Sequence, residues 1–144
     1  PPQIVGWCWG DGQVRPDVLP PLYRACIKGA PMAKVVRTER LDGLPRRVVT
    51  TGYSRVIRAI GASHPDVNGC PKLFRQEALA ALAPRSTDWF LDAEVVLGAL
   101  SQDWEIATHP VAMAPRAAGR SKVGAATVLE FAWNLARWRL THRI

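Results

Sequence analysis

The chain has 144 residues, the size of one domain, and 48% of them are apolar, which excludes a disordered tail. Nineteen lysines and arginines against 12 acids give a net charge of +7. That excess favours an anionic partner: nucleic acid, an acidic membrane surface or a phosphorylated substrate.

Residues 3–9 (QIVGWCW) are β-branched and aromatic and predict a buried strand, closed by the turn Gly10-Asp11-Gly12. Asp17 is expected to cap a helix that reaches Lys28 and stops at Gly29, with Pro20 and Pro21 in its first turn. Residues 32–36 predict a short strand running into a charged loop over 37–47. Residues 48–60 have helical spacing and end at Gly61. A loop at 64–66 leads to a strand at 70–74 and a short helix at 76–82. Ser86, Thr87 and Asp88 offer caps for a helix toward Ala99. Strands follow at 105–108 and 111–114, then a polar loop over 116–122. Residues 125–144 predict a basic amphipathic helix. Strands alternating with helices argue for an α/β layer fold. No internal repeat is present.

The three cysteines, Cys8, Cys26 and Cys70, lack metal-site and redox spacing, so reduced, buried thiols are expected. No run of about 18 apolar residues exists to span a membrane. No signal peptide pattern is present. The expected location is the cytoplasm, with the cytoplasmic face of a membrane as an extension of it.

Several side chains have chemistry to offer. Asp11 and Gln13 follow a strand, where ligands collect in open α/β sheets, and their oxygens suit a hard divalent cation; an ordinary Asp-Gly turn accounts for them equally. Asp66 stands near Lys72 and Arg75 and suits a general base, or a local turn hydrogen bond. Asp88, Asp92 and Glu94 cluster at a helix start, which the helix dipole alone favours. Asp92 and Glu94, two apart, do not share a helix face. Arg116, Arg120 and Lys122, with Gly119 and Ser121, suit a phosphate loop, or a solvated basic loop. The last helix, with Trp133, Trp138, Arg137, Arg139 and Arg143, suits a membrane interface or a core-packing role.

The order of these segments resembles glycosyltransferase family 2, closest to its polyprenyl- and dolichyl-phosphate sugar transferases. Trp9-Gly-Asp11-Gly-Gln13 is similar to the segment bearing the Asp-x-Asp motif. Val35-Val36-Arg37 with Arg40 is similar to the Gly-Ser-Arg strand end. Asp66-Val-Asn-Gly-Cys-Pro-Lys72-Leu-Phe-Arg75 resembles the acceptor-loop signature. Trp89-Phe-Leu-Asp92-Ala-Glu94 resembles the Asp-x-Glu helix start, and Arg116-Ala-Ala-Gly119-Arg-Ser121-Lys122 the closing Arg-x-x-Gly-x-Ser-Lys motif.

The resemblance implies a partial GT-A-type nucleotide-diphospho-sugar transferase fold lacking the N-terminal strands. It implies an acceptor-side part of the catalytic domain over 1–124 and a basic amphipathic helix over 125–144. It implies a nucleotide-sugar donor, a lipid-phosphate acceptor and Mg²⁺ or Mn²⁺. Asp66, Asp92 and Glu94 would be catalytic; Arg37, Arg40, Arg116, Ser121 and Lys122 would bind donor or acceptor phosphates; Asp11 and Gln13 would hold the metal. Trp9 occupies the family's first Asp-x-Asp position, which removes one metal ligand. The missing strands would expose a sheet edge, inviting self-association or a partner that supplies the donor half. The alternative is a non-catalytic relic or regulatory domain of the same fold. A nucleic-acid-binding module is disfavoured, because the cations lie largely in loops beside acids.

Overall fold

The computed structural model describes residues 2–39, 64–114 and 125–141. The helix expected over 48–60 and the candidates Arg40, Arg116, Ser121 and Lys122 lie outside the described residues. The described elements run β1 (Ile4–Trp7), α1 (Leu19–Ile27), β2 (Met32–Glu39), β3 (Lys72–Arg75), α2 (Gln76–Leu82), α3 (Leu91–Ser101), β4 (Ile106–Ala112) and α4 (Ala125–Thr141). The expected α/β class holds.

The four strands form one mixed sheet in the order β1-β3-β2-β4. β3 is antiparallel to both β1 and β2, while β4 is parallel to β2. It follows that β1, β2 and β4 share one direction and β3 opposes them. The carboxyl ends of β1, β2 and β4 therefore share an edge with the amino end of β3. Asp11, Gln13, Arg37, Asp66 and Asp92 lie on or near this edge.

Alternation along the strands sorts two cores. Ala33 and Val35 of β2 face α1 and pack with its Leu22 and Cys26. Met32 of β2 and Phe74 of β3 face the other way, into a larger core with Val95, Val96 and Leu97 of α3 and Phe131, Leu135 and Trp138 of α4. Fully burying such a side chain is worth about 1.5–3 kcal/mol, so this second core dominates. α3 is apolar nearly all round and is correspondingly sunk in the molecule. The buried positions of α4 recur at helical spacing, so its inner face is a core-packing face.

Several local expectations change. A 3-10 turn at Pro16–Val18 precedes α1, and Asp17 pairs with Arg15 at 3.2 Å instead of capping the helix. α3 begins at Leu91; Asp88 works one turn ahead of it, accepting from the Phe90 amide at 2.8 Å and from the Asn134 side chain at 2.8 Å. The strands expected at 105–108 and 111–114 are one strand, β4, running through Pro110. Proline is tolerated there because β4 pairs only with β2 among the described strands. Cys26 and Cys70 are buried as expected, but Cys8 is exposed.

Candidate functional site

At the shared edge, Lys34 of β2 and Lys72 of β3 are direct partners across the antiparallel ladder. Both side chains are wholly buried. Like charges directly opposite repel, and a buried ammonium requires partners. The segment before β3 and the start of α3 supply them.

Lys72 donates to Asp92 at 2.7 Å and to the Gly69 carbonyl at 2.8 Å. Asp92, itself buried, also accepts from the indole of Trp7 at 3.1 Å. Trp7 stacks on Phe74 at 5.1 Å between ring centroids. One carboxylate thus ties β1, β3 and the first turn of α3 together. Burial pushes Lys72 below the ordinary lysine value, against the opposing pull of Asp92.

Lys34 donates to the carbonyls of Pro65 and Asp66, at 3.3 and 2.8 Å. Burial brings its pKa down to about 7, partly opposed by the Asp66 charge. The Asp66 carboxylate is gripped by Arg37, through the side-chain Nε at 2.7 Å and the backbone amide at 2.9 Å, with the second guanidinium nitrogen on the other oxygen. Burial opposes the charged carboxylate, but the hydrogen bonds and charge of Arg37 outweigh it and hold Asp66 below the usual range.

Asp66 has φ of +49°, in the left-handed region that Asp tolerates better than most residues. Its carbonyl also accepts from the Gly69 amide at 2.7 Å, closing a tight turn. Gly69 is required by the approach of β2: a Cβ there would lie 2.1 Å from the Val35 carbonyl oxygen. His64, at the start of this segment, has a buried Nε2 with no hydrogen-bond partner among the described residues. Its pKa falls to about 4 through burial and the nearby Lys34 charge.

The loop after β1 crosses the same edge toward β4. Asp11 accepts from the Gln13 amide at 3.2 Å. Gln13 donates its side-chain amide to the Ala114 carbonyl at 3.2 Å and accepts at its own carbonyl from the Ala114 amide at 2.9 Å. Asp11 and Gln13 therefore share one turn. Among the described residues, no group of three or more His, Cys, Asp or Glu could hold a metal ion. One carboxylate and one amide suit Mg²⁺ or Mn²⁺ arriving with a diphosphate, since Mg²⁺ takes one or two carboxylates and fills its shell with water and phosphate.

Glu94 stands apart from this cluster. Its two oxygens accept from the amides of Arg85 and Ser86, at 3.0 and 2.8 Å, and fix the approach to α3. The structure thus joins Arg37 with Asp66 and assigns Asp92 to Lys72, while Glu94 serves a loop. The expected neighbours of Asp66, Lys72 and Arg75, give way to Arg37; Arg75 pairs with Glu77. The sequence placed Lys72 beside Asp66 rather than Asp92, and did not mark Lys34 or Trp7 as site residues. The available signal was a lysine on the core-facing alternation of two apolar strands, which needs a buried counter-charge.

No family model matches the chain, and no curated protein is significantly similar to it.

Proposed function

We propose that this chain is the acceptor-side part of a GT-A-type glycosyltransferase, moving a sugar from a nucleotide-sugar donor to an anionic acceptor such as a polyprenyl phosphate. The observation that supports it is a convergence. The loop of Asp11 and Gln13, the strand end at Arg37, the 64–72 segment and the start of α3 lie far apart in sequence and gather at one edge of the sheet. That is the edge where open α/β sheets bind ligands. Among the described residues, the cluster sets Lys34, Lys72 and Arg37 against Asp66 and Asp92.

In this reading an acceptor phosphate oxygen bonds to the anomeric carbon as the carbon–oxygen bond to the donor diphosphate breaks. The electron pair leaves with the nucleoside diphosphate. Asp11 and Gln13 would hold a divalent ion arriving with the diphosphate, which would supply charge neutralisation for that departure. The acceptor phosphate is already anionic and needs little base catalysis. Asp66 and Asp92 then act as positioning residues: Asp66 aims Arg37, and Asp92 fixes Lys72 and the start of α3. The donor half would come from a longer chain or a partner. The outer face of α4, with Trp133, Arg137, Arg139 and Leu140 exposed, suits a headgroup surface. No helix among the described residues is long and apolar enough to cross a membrane.

Calorimetry with GDP and UDP, with and without Mn²⁺, tests the reading. Saturable, metal-dependent binding that disappears in Asp11→Ala is expected. Heat of binding absent for both nucleotides even with the donor half supplied would remove this chain from nucleotide-sugar chemistry. A second reading, a non-catalytic relic of the same fold, draws on the burial of Asp66 and Asp92 in ion pairs and on Trp9 in place of an acid. It predicts nucleotide binding without sugar transfer when the donor half is restored.

A further inference from the structure

Trp9 and Trp89 stack on each other at 5.4 Å between ring centroids, with an interplanar angle of 25°. They come from distant segments, the loop after β1 and the turn before α3. Each stays open to solvent, at 45% and 41% exposure. Leaving two indoles half-exposed forgoes much of the free energy of burying them, and exposed aromatic surface marks binding sites.

The segments that carry the pair are joined through their neighbours. Trp7, two residues before Trp9, donates to Asp92, three residues after Trp89, and Asp92 is locked by Lys72. The strand end and the helix start that carry the rings are therefore tied by buried bonds. A ligand that lands on them orders little further protein, which favours binding. The pair also lies at the edge that holds Asp11, Gln13 and the ion-pair cluster.

We propose that Trp9 and Trp89 form an aromatic platform for the apolar face of a pyranose ring. The π-face of an indole carries partial negative charge and attracts the polarised C–H groups of that face. The chain beside the pair is polar on both sides, with Asp11 and Gln13 following Trp9, and the hydroxyl residues Ser86 and Thr87 just before Trp89; Asp88 is taken up by the Phe90 amide and Asn134. Hydroxyl groups at the rim of a sugar find donors and acceptors there. An isoprenoid chain would instead need apolar walls on either side of the rings. The platform rests on the sugar-transfer reading for its biological use and names the sugar-facing surface of that site.

Tryptophan fluorescence of the full chain, titrated with the methyl glycosides of mannose, glucose, galactose and N-acetylglucosamine, tests it directly. A saturable spectral change is expected for at least one glycoside, with a Kd on the order of 1–10 mM. Trp9→Ala and Trp89→Ala should each abolish the binding, and Trp133→Ala should retain it. Circular dichroism checks the fold of each variant, and Trp9→Phe, which keeps an aromatic face, should bind at least tenfold more tightly than Trp9→Ala. No saturable change with any glycoside overturns the platform, and needs no variant to do so. Response to farnesyl phosphate alone overturns it in favour of a prenyl site. Glycoside binding without nucleotide binding leaves the platform standing and sinks the transfer reading; nucleotide binding without glycoside binding does the reverse.

Discussion

Lys34 and Lys72 face each other across the β2–β3 ladder with neither side chain reaching solvent. The arrangement depends on Asp92 for one lysine and on the 64–69 segment for the other. Breaking either support should cost far more than a surface ion pair, because an uncompensated charge would remain in the interior.

Asp92→Ala should lower stability by about 3–5 kcal/mol, by leaving Lys72 charged and unpaired. The double variant Lys72→Met with Asp92→Leu should recover most of that loss. Urea unfolding of Lys72→Met, Asp92→Leu and the double measures the coupling. Strictly additive effects would mean that the pair is not a unit.

Asp66→Ala should take the carboxylate from the Arg37 guanidinium and backbone amide together, at about 1–3 kcal/mol. Hydrogen exchange at the Arg37 amide should accelerate while amides in the middle of α3 keep their protection. Gly69→Ala should disturb the same turn by a steric route, since the added carbon meets the Val35 carbonyl oxygen. Unaltered exchange at Arg37 in both variants would show that the turn does not organise the strand end.

The pH dependence should have two limbs of common sign. Lys34 has a folded value of about 7 against an ordinary 10.5, so the unfolded chain holds more protons between those values. Stability should therefore rise as pH climbs through that window. His64 has a folded value of about 4 against 6.5, so the unfolded chain takes up its proton first as pH falls. Stability should drop from about pH 6.5 toward pH 4. Asp66, held below its ordinary carboxylate value, loses its contribution only as pH falls through that depressed value. Unfolding midpoints measured from pH 4 to pH 10 check the Lys34 and His64 limbs, and a series continued below pH 3.8 checks Asp66. Lys34→Met should flatten the alkaline limb and His64→Gln the acid limb.

The two faces of α4 should separate by mutation. Trp138→Ala removes a buried ring beside Leu135 and should cost about 3–5 kcal/mol. Trp133→Ala, at an exposed position, should change stability by less than about 0.5 kcal/mol. Co-sedimentation with anionic vesicles should fall for Trp133→Ala and for Arg137→Glu with Arg139→Glu. Retained vesicle binding in the charge-reversed protein would remove the outer face of α4 as the membrane contact.

Element types were largely legible in the sequence because strong local patterns carried them. The apolar run at β1, the short helix 76–82 and the periodic terminal helix all form. Boundaries shifted where a longer-range partner won. β2 extends to Glu39 because β4 pairs along it, with a register shift between Arg37 and Glu39. The candidate acids were legible as positions and not as roles. Asp66 and Asp92 lie 26 residues apart in number, yet their meanings come from Arg37 and Lys72, whose approach only the sheet order creates. Lys34 looked like one cation among many because sequence alone does not reveal which face of a strand is sealed by a helix.

The sheet has a consequence for how the molecule assembles. Ile4 pairs with Arg75, and Met32 with Ile106, so its ladders join remote parts of the chain and none closes as a hairpin. Chains with such pairings fold late, since loop closure precedes any reward from contact. The buried lysines compound this, because each must shed its water as the strands meet. Helices α1 and α3 should form early and the sheet should zip last, making desolvation of one charged seam the slow step of folding.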